Sequence, residues 1–417
     1  MKAAQSNLTD TGKIKLRITS SIGFAPISNA SIEISYTGDP NSVIEKIETD
    51  TNGQTELITL DTPPLEYSMA PSENQPYSEY TFRITAPEFE PLTITGAELM
   101  SGVTSIQDAQ LSPILAQGNP IDVITIGPHT LFGDYPPKIP ESEIKPLEET
   151  GEIVLSRVVV PEYIIVHDGS VNDSTAQNYY VKYKDYIKNV ASCEIYSTWP
   201  RSTIEANVLA IMSFTLNRVY TEWYRNKGYD FTITSSTAYD HKWIHGKNTF
   251  DTINEVVDQI FSNFLSRPNV TQPILTQYCD GKRVTCEGWM TQWGSKYLGD
   301  QGYAPVEIIR YYYGDDMYVN TAQEISGVPA SWPGSNLTIG STGDKVRQMQ
   351  EQLNRIAQTY PSIPKLSADG RYGEATANAV RKFQNIFGLP VSGIVDYPTW
   401  YKISEIYVAV SRIAELR

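Results

Sequence analysis

The side chains best suited to chemistry lie in the middle of the chain, and the carboxylates come first. Glu194 stands in the segment ASCEIYSTWP, five residues before Trp199. A positioned carboxylic acid donates a proton to a leaving group and takes one back, and aromatic neighbours favour its neutral form by excluding water. A single Glu just before a helix is more often a solvated surface residue, so the spacing alone favours a surface role. Glu205, Asp240 and Glu287 are the other candidate acids. We expect Glu205, on a long helix, to be structural, and Asp240 is the one to test.

Sulfur and imidazole groups of the same region offer other chemistry. Cys279 and Cys286 are seven residues apart and would form a disulfide, share a metal ion with a histidine, or be small buried apolar residues. His241 and His245 complete such a metal site only if the fold brings them close, which their spacing does not show. The third cysteine, Cys193, has no signature of a cysteine nucleophile around it. No cofactor is predicted beyond that possible structural metal.

Composition limits the class of protein. A chain of 417 residues with 40% apolar and 19% charged residues is long enough for two or three domains with real cores. Three cysteines exclude a disulfide scaffold. The chain has no run of 18 apolar residues, so we expect no membrane span. Its first residues, MKAAQSNLTDTGK, contain no apolar core of a signal peptide, so we expect no standard secretory signal.

The charge is unevenly distributed. Residues 1–150 contain 21 acidic and 8 basic residues, a net charge of −13, whereas the remainder contains 27 acidic and 25 basic residues, a net charge of −2. This asymmetry indicates a separate N-terminal module. It also argues against nucleic-acid binding, which needs a basic face.

Residues 12–112 predict a small antiparallel β-sandwich. Segments such as GKIKLRIT and SEYTFRITA alternate apolar and polar residues with a period of two, and TDTNGQTEL contains an Asn-Gly turn signal. The pattern resembles the prealbumin-like modules that are often appended to extracellular enzymes. No nucleophile, histidine cluster or metal spacing lies within it, so we predict a non-catalytic role.

Two stretches rich in Pro and Gly predict linkers, at 113–157 and 321–336. The first is accessible to proteases, and its Leu131, Phe132 and Tyr135 would hold it against a neighbouring domain. Between the linkers, VVVPEYIIVHD predicts a strand. Apolar residues at spacings of three and four predict helices at about 181–192, 201–226, 250–266 and 303–313. Residues 158–320 are therefore predicted to be an α+β domain.

The C-terminal part predicts two amphipathic helices, one built on Val346, Met349, Leu353 and Ile356, the other on Ala379, Val380, Phe383 and Ile386. Glycines between them act as turns and helix stops. LTIGSTGDKVRQMQEQLNRIA and LSADGRYGEATANAVRKFQNIFGLPVSGIVDYPTW resemble the peptidoglycan-binding-1 family almost position for position. The resemblance implies a three-helix module that binds glycan or stem peptide and has no catalytic role.

A second resemblance covers the central domain. YKDYIKNVASCEIYSTWPRSTIEANVLAIMSFTLNRV is similar to the core of the SpoIID/LytB-type lytic transglycosylases, in which a helix presents a Glu ahead of a Trp-Pro pair; the matching residue is Glu194. GWMTQWGSKYLGDQGYAPVEIIRYYYG resembles the family's G-M-S-Q-x-G segment, and STAYDHKWIHG stands where the family has a loop lining the groove. With its flanking modules, the chain resembles the clostridial spore-cortex-lytic enzymes.

The second resemblance implies a mechanism with one catalytic carboxylate. Most glycosidases need two, but in a lytic transglycosylase the C6 hydroxyl of the muramic residue attacks its own anomeric carbon and leaves a 1,6-anhydro end. Glu194 would act first as acid and then as base. The resemblance also implies the substrate-binding residues, which are Trp199, Tyr239, Asp240, Thr291, Gln292 and Trp293. The chain departs from the family where TCEGW replaces Gly-His-Gly, and where Thr291 replaces a Ser.

The sequence therefore predicts a multidomain protein. Its parts are an N-terminal all-β sandwich pro-region (1–112), a linker with an activation cleavage (113–157), an α+β SpoIID-like catalytic domain (158–320), a linker (321–336) and a C-terminal three-helix peptidoglycan-binding domain (337–417). The expected function is a spore cortex-lytic zymogen that cleaves between N-acetylmuramic acid and N-acetylglucosamine.

The expected partners are cortex peptidoglycan and a germination protease that cuts near Ser156–Val158. The expected location is the spore cortex or envelope, with no nucleic acid and no membrane span. Two alternatives stay open: a non-catalytic wall-binding protein, favoured by the missing Gly-His-Gly, and a hydrolase with a second carboxylate such as Asp240.

Overall fold

The computed structural model of the chain describes residues 9–22, 24–114, 122–145, 157–327 and 332–415. These residues form an N-terminal sandwich, a central α+β unit and a C-terminal helical unit. Within them, no helix is both long and apolar enough to cross a membrane.

Alternating apolar residues build the N-terminal sandwich, as the period of two predicts. Its elements are β1 (Asp10–Ser20), β2 (Ser31–Tyr36), β3 (Asp39–Glu48), β4 (Ile58–Thr62), the short helix α1 (Glu66–Met69), β5 (Ser78–Thr85), β6 (Leu92–Leu99) and β7 (Thr104–Leu111). Side chains from both sheets, such as Leu16, Phe82 and Ile94, meet in one buried core. The prediction of purely antiparallel sheets was wrong, because β1 pairs in parallel with β7.

The described residues of the first predicted linker form a strand and an extended segment. Residues Asp122–Thr125 form β8, which pairs in parallel with β6 and completes the sheet β3-β2-β5-β6-β8. Residues 126–145, here called the strap, then run across the central unit, with Ile126 and Leu131 buried. This Pro-rich stretch lies against the central unit because burying its apolar side chains there removes them from water. Residues 146–156, which include Ser156 of the predicted cleavage site, lie outside the described residues.

The central unit surrounds one long buried helix. Its elements are β9 (Val159–Val160), β10 (Tyr163–His167), β11 (Asn178–Lys182), α2 (Tyr183–Glu194), α3 (Arg201–Tyr220), β12 (Ile233–Thr234), β13 (Thr249–Phe250), α4 (Asp251–Ile260), β14 (Asn263–Ser266), β15 (Tyr278–Cys279), β16 (Met290–Thr291), α5 (Gln292–Asp300), α6 (Pro305–Tyr313), β17 (Tyr318–Thr321) and β18 (Glu324–Ile325). Helix α3 packs against α4, α5, α6 and β14. It is buried on nearly every side, so its polar residues must bond inside the unit. Asn217, for example, donates to the backbone oxygen of Pro273.

The helices predicted for this unit are present, but two of them are shorter than predicted. Helix α3 ends at Tyr220 and α4 at Ile260, each six residues before the predicted end. Residues Asn263–Ser266 instead form β14, which pairs with β17. Tertiary strand pairing has overridden a helical pattern there. Helix α5 (Gln292–Asp300) was not predicted.

The sandwich and the central unit share a sheet. Strand β13 of the central unit pairs antiparallel with β7, with Phe250 opposite Ser105, and so extends the sheet to the order β13-β7-β1-β4. Beside this junction, Lys247 and Glu98 form a fully buried ion pair with a nitrogen–oxygen distance of 2.5 Å. The Asn248 amide donates to the backbone carbonyl of Glu98. The two units are therefore joined by backbone pairing and by buried charge.

The C-terminal unit consists of α7 (Asp344–Ile356), α8 (Glu374–Phe387) and α9 (Tyr397–Glu415). The apolar residues that the sequence assigned to the first two helices are all buried. Gly388, with φ +71°, ends α8 in a left-handed cap that favours glycine. Helix α9 meets α4 of the central unit, where the Phe261 ring packs against Tyr397 and Tyr401.

The variant Lys247→Met tests whether the buried pair matters to stability. Burial raises the pKa of Glu98 to about 7, although the Lys247 ammonium lowers it. Without that ammonium the carboxyl must hold its proton more firmly, and a raised folded-state pKa means stability is lost as pH rises through it. We expect Lys247→Met to lower the melting temperature more at about pH 8 than at about pH 5.5. The expected cost at the higher pH is on the order of 3 kcal/mol.

The double variant Glu98→Gln with Lys247→Met is the control, since it removes both charges. The extra loss of stability at the higher pH should disappear in it. Equal melting temperatures for Lys247→Met and the unaltered chain at both pH values would contradict the proposed importance of this pair.

Candidate functional site

Glu194 is a buried carboxylate and not the solvated residue that its spacing alone favoured. Its side chain is 4% exposed. Oε1 accepts a hydrogen bond from the backbone N–H of Lys242 at 2.9 Å. Oε2 accepts one from the side-chain amide of Gln292 at 3.1 Å and one from the hydroxyl of Thr130 at 3.2 Å. Three separate segments of the chain therefore converge on this one carboxylate.

The position of Glu194 follows from how α2 ends. Tyr186, Ile187 and Val190 fix the helix in the core, and the chain turns extended at Ile195, so Glu194 is the last helical residue. The carboxyl end of a helix carries partial negative charge. A carboxylate there needs donors from outside the helix, and these three segments supply them.

A narrow cleft of about 60 Å³ opens above Glu194. Much of its lining comes from the strap: Thr130, Gly133, Tyr135, Pro136, Pro137 and Lys138. The central unit contributes Glu194, Thr237, Tyr278, Cys279, Asp280, Arg283, Val284 and Gln292. The strap therefore forms one wall of the cleft that holds the candidate acid.

The strap is bound to the central unit at several points. Thr130 donates from its backbone N–H to the carbonyl of Cys193, and its single hydroxyl proton is shared between that carbonyl at 2.8 Å and Glu194. Arg283 donates to the carbonyl of Gly133. Glu141 receives two hydrogen bonds from the buried guanidinium of Arg218.

Lys138 brings a positive charge from the strap to the cleft. Its ammonium donates to the backbone carbonyl of Asp240 and lies 4.7 Å from the centre of the Tyr278 ring. Burial lowers the pKa of Lys138, although the charges of Glu194 and Asp240 raise it. The strap thus places a cation near the candidate acid as well as a hydroxyl against it.

Uncharged aromatic groups lie on the inner side of the site. Burial raises the pKa of Tyr278 well above its ordinary value, and the charge of Glu194 adds to this. Burial, helped by Lys138, holds the pKa of His241 well below its ordinary range, and its Nδ1 shares a hydrogen bond of 3.2 Å with the hydroxyl of Tyr186. This inner wall is therefore neutral at neutral pH.

Gln292 and Thr291, predicted to bind substrate, lie at the start of α5. The Gln292 amide donates to the backbone carbonyl of Glu194 at 2.8 Å as well as to its side chain. Gln292 is buried and holds Glu194 through these two hydrogen bonds, and its binding of substrate stays a prediction. The Thr291 hydroxyl lies 3.1 Å from that of Tyr312.

Trp199 and Trp293, also predicted to bind substrate, are packed with Tyr196 in one aromatic cluster. The two indole rings lie 5.0 Å apart, and each meets the Tyr196 ring edge-on. Trp199 is 3% exposed, and its indole N–H donates to the backbone carbonyl of Ser68 in α1 at 2.9 Å. The N-terminal sandwich therefore covers this cluster in the intact chain.

Asp240 does not reach the cleft, contrary to its predicted role in substrate binding. It is 0% exposed, and its oxygens accept hydrogen bonds from Arg218 at 2.7 Å, from the Tyr224 hydroxyl at 2.7 Å and from Thr234. These partners make it a structural anchor of its loop. The neighbouring residue Tyr239 was also predicted to bind substrate. Its backbone carbonyl accepts a hydrogen bond from Arg218.

Two of the three cysteines are bonded to each other, and the third is free. Cys279 and Cys286 form a disulfide, which was one of the three alternatives that the sequence left open. Cys193 is free, and burial raises the pKa of its thiol to about 12, which is unsuited to a nucleophile. Across the described ranges, no three His, Cys, Asp or Glu side chains group as metal ligands would. His245 stacks on Tyr179.

Three contributors to the site were missed by the sequence analysis: Thr130, Lys138 and the backbone N–H of Lys242. Thr130 and Lys138 lie in a stretch without any period, and a backbone donor has no sequence signal. Only the apolar residues of the strap gave a hint that it packs against another unit.

Comparison with known proteins identifies the C-terminal unit. Residues 342–403 match the family described as "Putative peptidoglycan binding domain". A stretch of 76 residues is 38% identical to the zinc D-Ala-D-Ala carboxypeptidase of Streptomyces albus G and covers 18% of this chain and 28% of that protein. The chain thus spans little more than a quarter of the length of that curated relative. The C-terminal unit is a peptidoglycan-binding domain.

Solved structures offer weaker likenesses. The N-terminal domain of SleB is 29% identical over 18% of this chain and 93% of its own chain, with a TM-score of 0.16. The minor pilin GBS52 of Streptococcus agalactiae is 12% identical over 27% of this chain and 49% of its own, with a TM-score of 0.19. TM-scores this low carry no argument about the present chain.

A fragment of residues 332–417 tests the C-terminal unit as an independent module. Trp332 packs edge-on against Tyr397 and Trp400, so the fragment begins there. We expect it to fold, because its three helices enclose their own core, and to sediment with purified peptidoglycan. The measurement is a pelleting assay at low salt, with an unrelated acidic protein of similar size as the control. A folded fragment that stays in the supernatant would contradict wall binding by this unit.

Proposed function

We propose that the chain is a peptidoglycan-cleaving lytic transglycosylase and that Glu194 is its acid and base. One observation carries the proposal: the buried carboxylate of Glu194 forms the floor of a cleft in a chain that also contains a peptidoglycan-binding domain. Its hydrogen bonds hold the carboxyl group in one orientation at the cleft, as a group that transfers a proton at a fixed point requires.

In the proposed reaction, Glu194 first donates its proton to the glycosidic oxygen as the bond to the muramic anomeric carbon breaks. The resulting carboxylate then takes the proton from the C6 hydroxyl of the same muramic residue. That oxygen bonds to the anomeric carbon and closes a 1,6-anhydro ring. Glu194 regains its proton and no water is consumed, so one carboxylate is enough.

The other carboxylate at the cleft supports this assignment. Asp280 lines the cleft, but its oxygens accept the backbone N–H groups of Lys282, Arg283 and Val284 at 2.9 to 3.1 Å. It therefore holds the turn between the disulfide-linked cysteines. With Asp240 buried elsewhere, a two-carboxylate hydrolase has less support than the one-carboxylate mechanism.

We propose further that the intact chain is a zymogen and that its pro-region is the sandwich together with the strap. The strap forms one wall of the cleft, with the Thr130 hydroxyl against Glu194 and the Lys138 ammonium nearby. In this proposal a glycan strand can reach Glu194 only when this wall moves away. Cleavage after residue 145 would break the covalent link between the pro-region, here called the mask, and the central unit.

The resemblance of the sequence to the spore-cortex-lytic enzymes suggests the setting. The proposed substrate is the cortex glycan, the proposed place is the spore envelope, and the proposed activator is a germination protease. The peptidoglycan-binding domain supports a wall substrate of this class.

Glu194→Gln is the direct test of the acid. The amide keeps the size of the side chain but has a single acceptor oxygen and no acidic proton to give, so turnover should fall by ~100-fold or more. The measurement is the loss of turbidity of a suspension of decoated spores or cortex fragments. Glu205→Gln, on α3, is the matched control and should retain activity. If Glu194→Gln keeps more than about a tenth of the activity, the acid assignment is wrong.

Cutting the chain tests the mask. A specific protease site placed within residues 146–156 allows the folded protein to be cut once, and the N-terminal fragment is then separated by chromatography. We expect the remaining enzyme to be ~10-fold or more active, since about 1.4 kcal/mol of strap binding is enough for each factor of ten. The activity of a sample that is cut but not separated should lie between those of the intact chain and the separated enzyme. The buried contacts still hold the N-terminal fragment in that sample. Unchanged or lower activity after separation would show that the N-terminal region is a scaffold.

A further inference from the structure

We propose that Arg283 binds a carboxylate of the peptidoglycan substrate, and that the strap occupies its guanidinium in the intact chain. The inference rests on the proposed function, because it takes the ligand of the cleft to be peptidoglycan. It adds a charged group for which the cleft selects. Peptidoglycan offers such a group in two places, the free lactyl carboxylate of a muramic residue and the carboxylates of the stem peptide.

Arg283 lies on a closed loop at the edge of the cleft. It belongs to the lining of the cleft and is exposed. The disulfide between Cys279 and Cys286 closes the loop, and the carboxylate of Asp280 accepts the backbone N–H of Arg283 at 2.9 Å. These bonds fix the backbone from which the guanidinium projects, so less conformational freedom is lost when the guanidinium binds a ligand.

The guanidinium of Arg283 has an acceptor but no counter-ion. It donates to the backbone carbonyl of Gly133 in the strap. In the part of the chain that the structure describes, no carboxylate forms an ion pair with it, whereas Arg17, Arg218 and Arg267 each pair with one. The planar fork of N–H donors in arginine matches the two oxygens of a carboxylate. A neutral carbonyl therefore occupies a group that is better suited to an anion.

The strap connects this guanidinium to the acid. Thr130, whose hydroxyl contacts Glu194, precedes Gly133 by three residues. The two lie in one turn, in which the backbone N–H of Gly133 donates to the carbonyl of His129 at 2.7 Å. Three residues of chain span at most about 11 Å, so Arg283 and Glu194 lie along the same short length of the cleft. When the strap leaves, both lose a partner together.

A second cation of the central unit is covered by the same strap. The Lys242 ammonium lies 5.0 Å from the centre of the ring of Tyr135, a strap residue that lines the cleft. Lys138 departs with the strap, but Lys242 and Arg283 remain with the central unit. Two uncovered positive charges near the acid attract an anionic substituent of the glycan.

The experiment measures binding and does not depend on catalysis. In the Glu194→Gln background, the chain is cut within residues 146–156 and studied before and after its N-terminal fragment is removed. It is titrated calorimetrically with a tetrasaccharide of alternating N-acetylglucosamine and N-acetylmuramic acid, either peptide-free or with stem peptides. Each ligand has a matched neutral form in which its carboxyl groups are amidated. Melting curves confirm that each sample is folded.

Arg283→Gln is compared with Lys282→Gln, which removes the same charge from the neighbouring residue of the loop, outside the lining of the cleft. After separation, Arg283→Gln should weaken binding of an acidic ligand by about fivefold and leave binding of its amidated form unchanged. Lys282→Gln should change neither. Before separation, when the Gly133 carbonyl still competes, the effect of Arg283→Gln should have the same sign and be smaller.

The ligand that responds identifies the source of the carboxylate. A loss with the peptide-free tetrasaccharide assigns the lactyl group, and a loss confined to the peptide-bearing form assigns the stem peptide. The proposal is overturned if Arg283→Gln weakens acidic and amidated ligands equally or affects neither, or if Lys282→Gln has the same effect. Because cleavage is not measured, the role of Arg283 and the acid assignment of Glu194 can fail separately.

Discussion

The structure around the site depends on one constraint: a carboxylate taken out of water must receive hydrogen bonds from the protein. Glu194 ends a buried helix, where the helix itself offers no donor to it. The donors come from α5 through Gln292, from the loop after α3 through the backbone of Lys242, and from the strap through Thr130. Placing these three donors requires the N-terminal region and the central unit to assemble around the same point, so the acid and its cover are parts of one arrangement.

The same dependence ties the N-terminal region to the central unit. The two share a sheet, a buried ion pair and a hydrogen bond to the indole of Trp199. Strand β13 extends the sandwich, Lys247 meets Glu98 inside the junction, and Ser68 satisfies the indole of Trp199. A cover attached in this way leaves buried polar groups unpaired when it departs.

Local patterns predicted much of this fold, and long-range contacts account for what they missed. Period-two alternation gave the sandwich strands, and apolar spacing gave α2, α3 and both main helices of the C-terminal unit. The same patterns do not distinguish a parallel partner from an antiparallel one, so the pairing of β1 with β7 was missed. Glu194 was found through a family resemblance, because a lone Glu has no pattern of its own. Asp240 was misjudged because its anchor, Arg218, is distant in sequence and has no periodic relation to it.

The central claim is that one buried carboxylate cleaves glycan without water, and the chemistry of the product tests it most directly. Mass spectrometry of the muropeptides released by the cut and separated enzyme distinguishes two kinds of end. The account predicts 1,6-anhydro-muramic ends, lighter by one water than reducing ends, because the C6 hydroxyl is the nucleophile. Release of reducing muramic ends instead would show that water takes part, and would contradict the one-carboxylate mechanism.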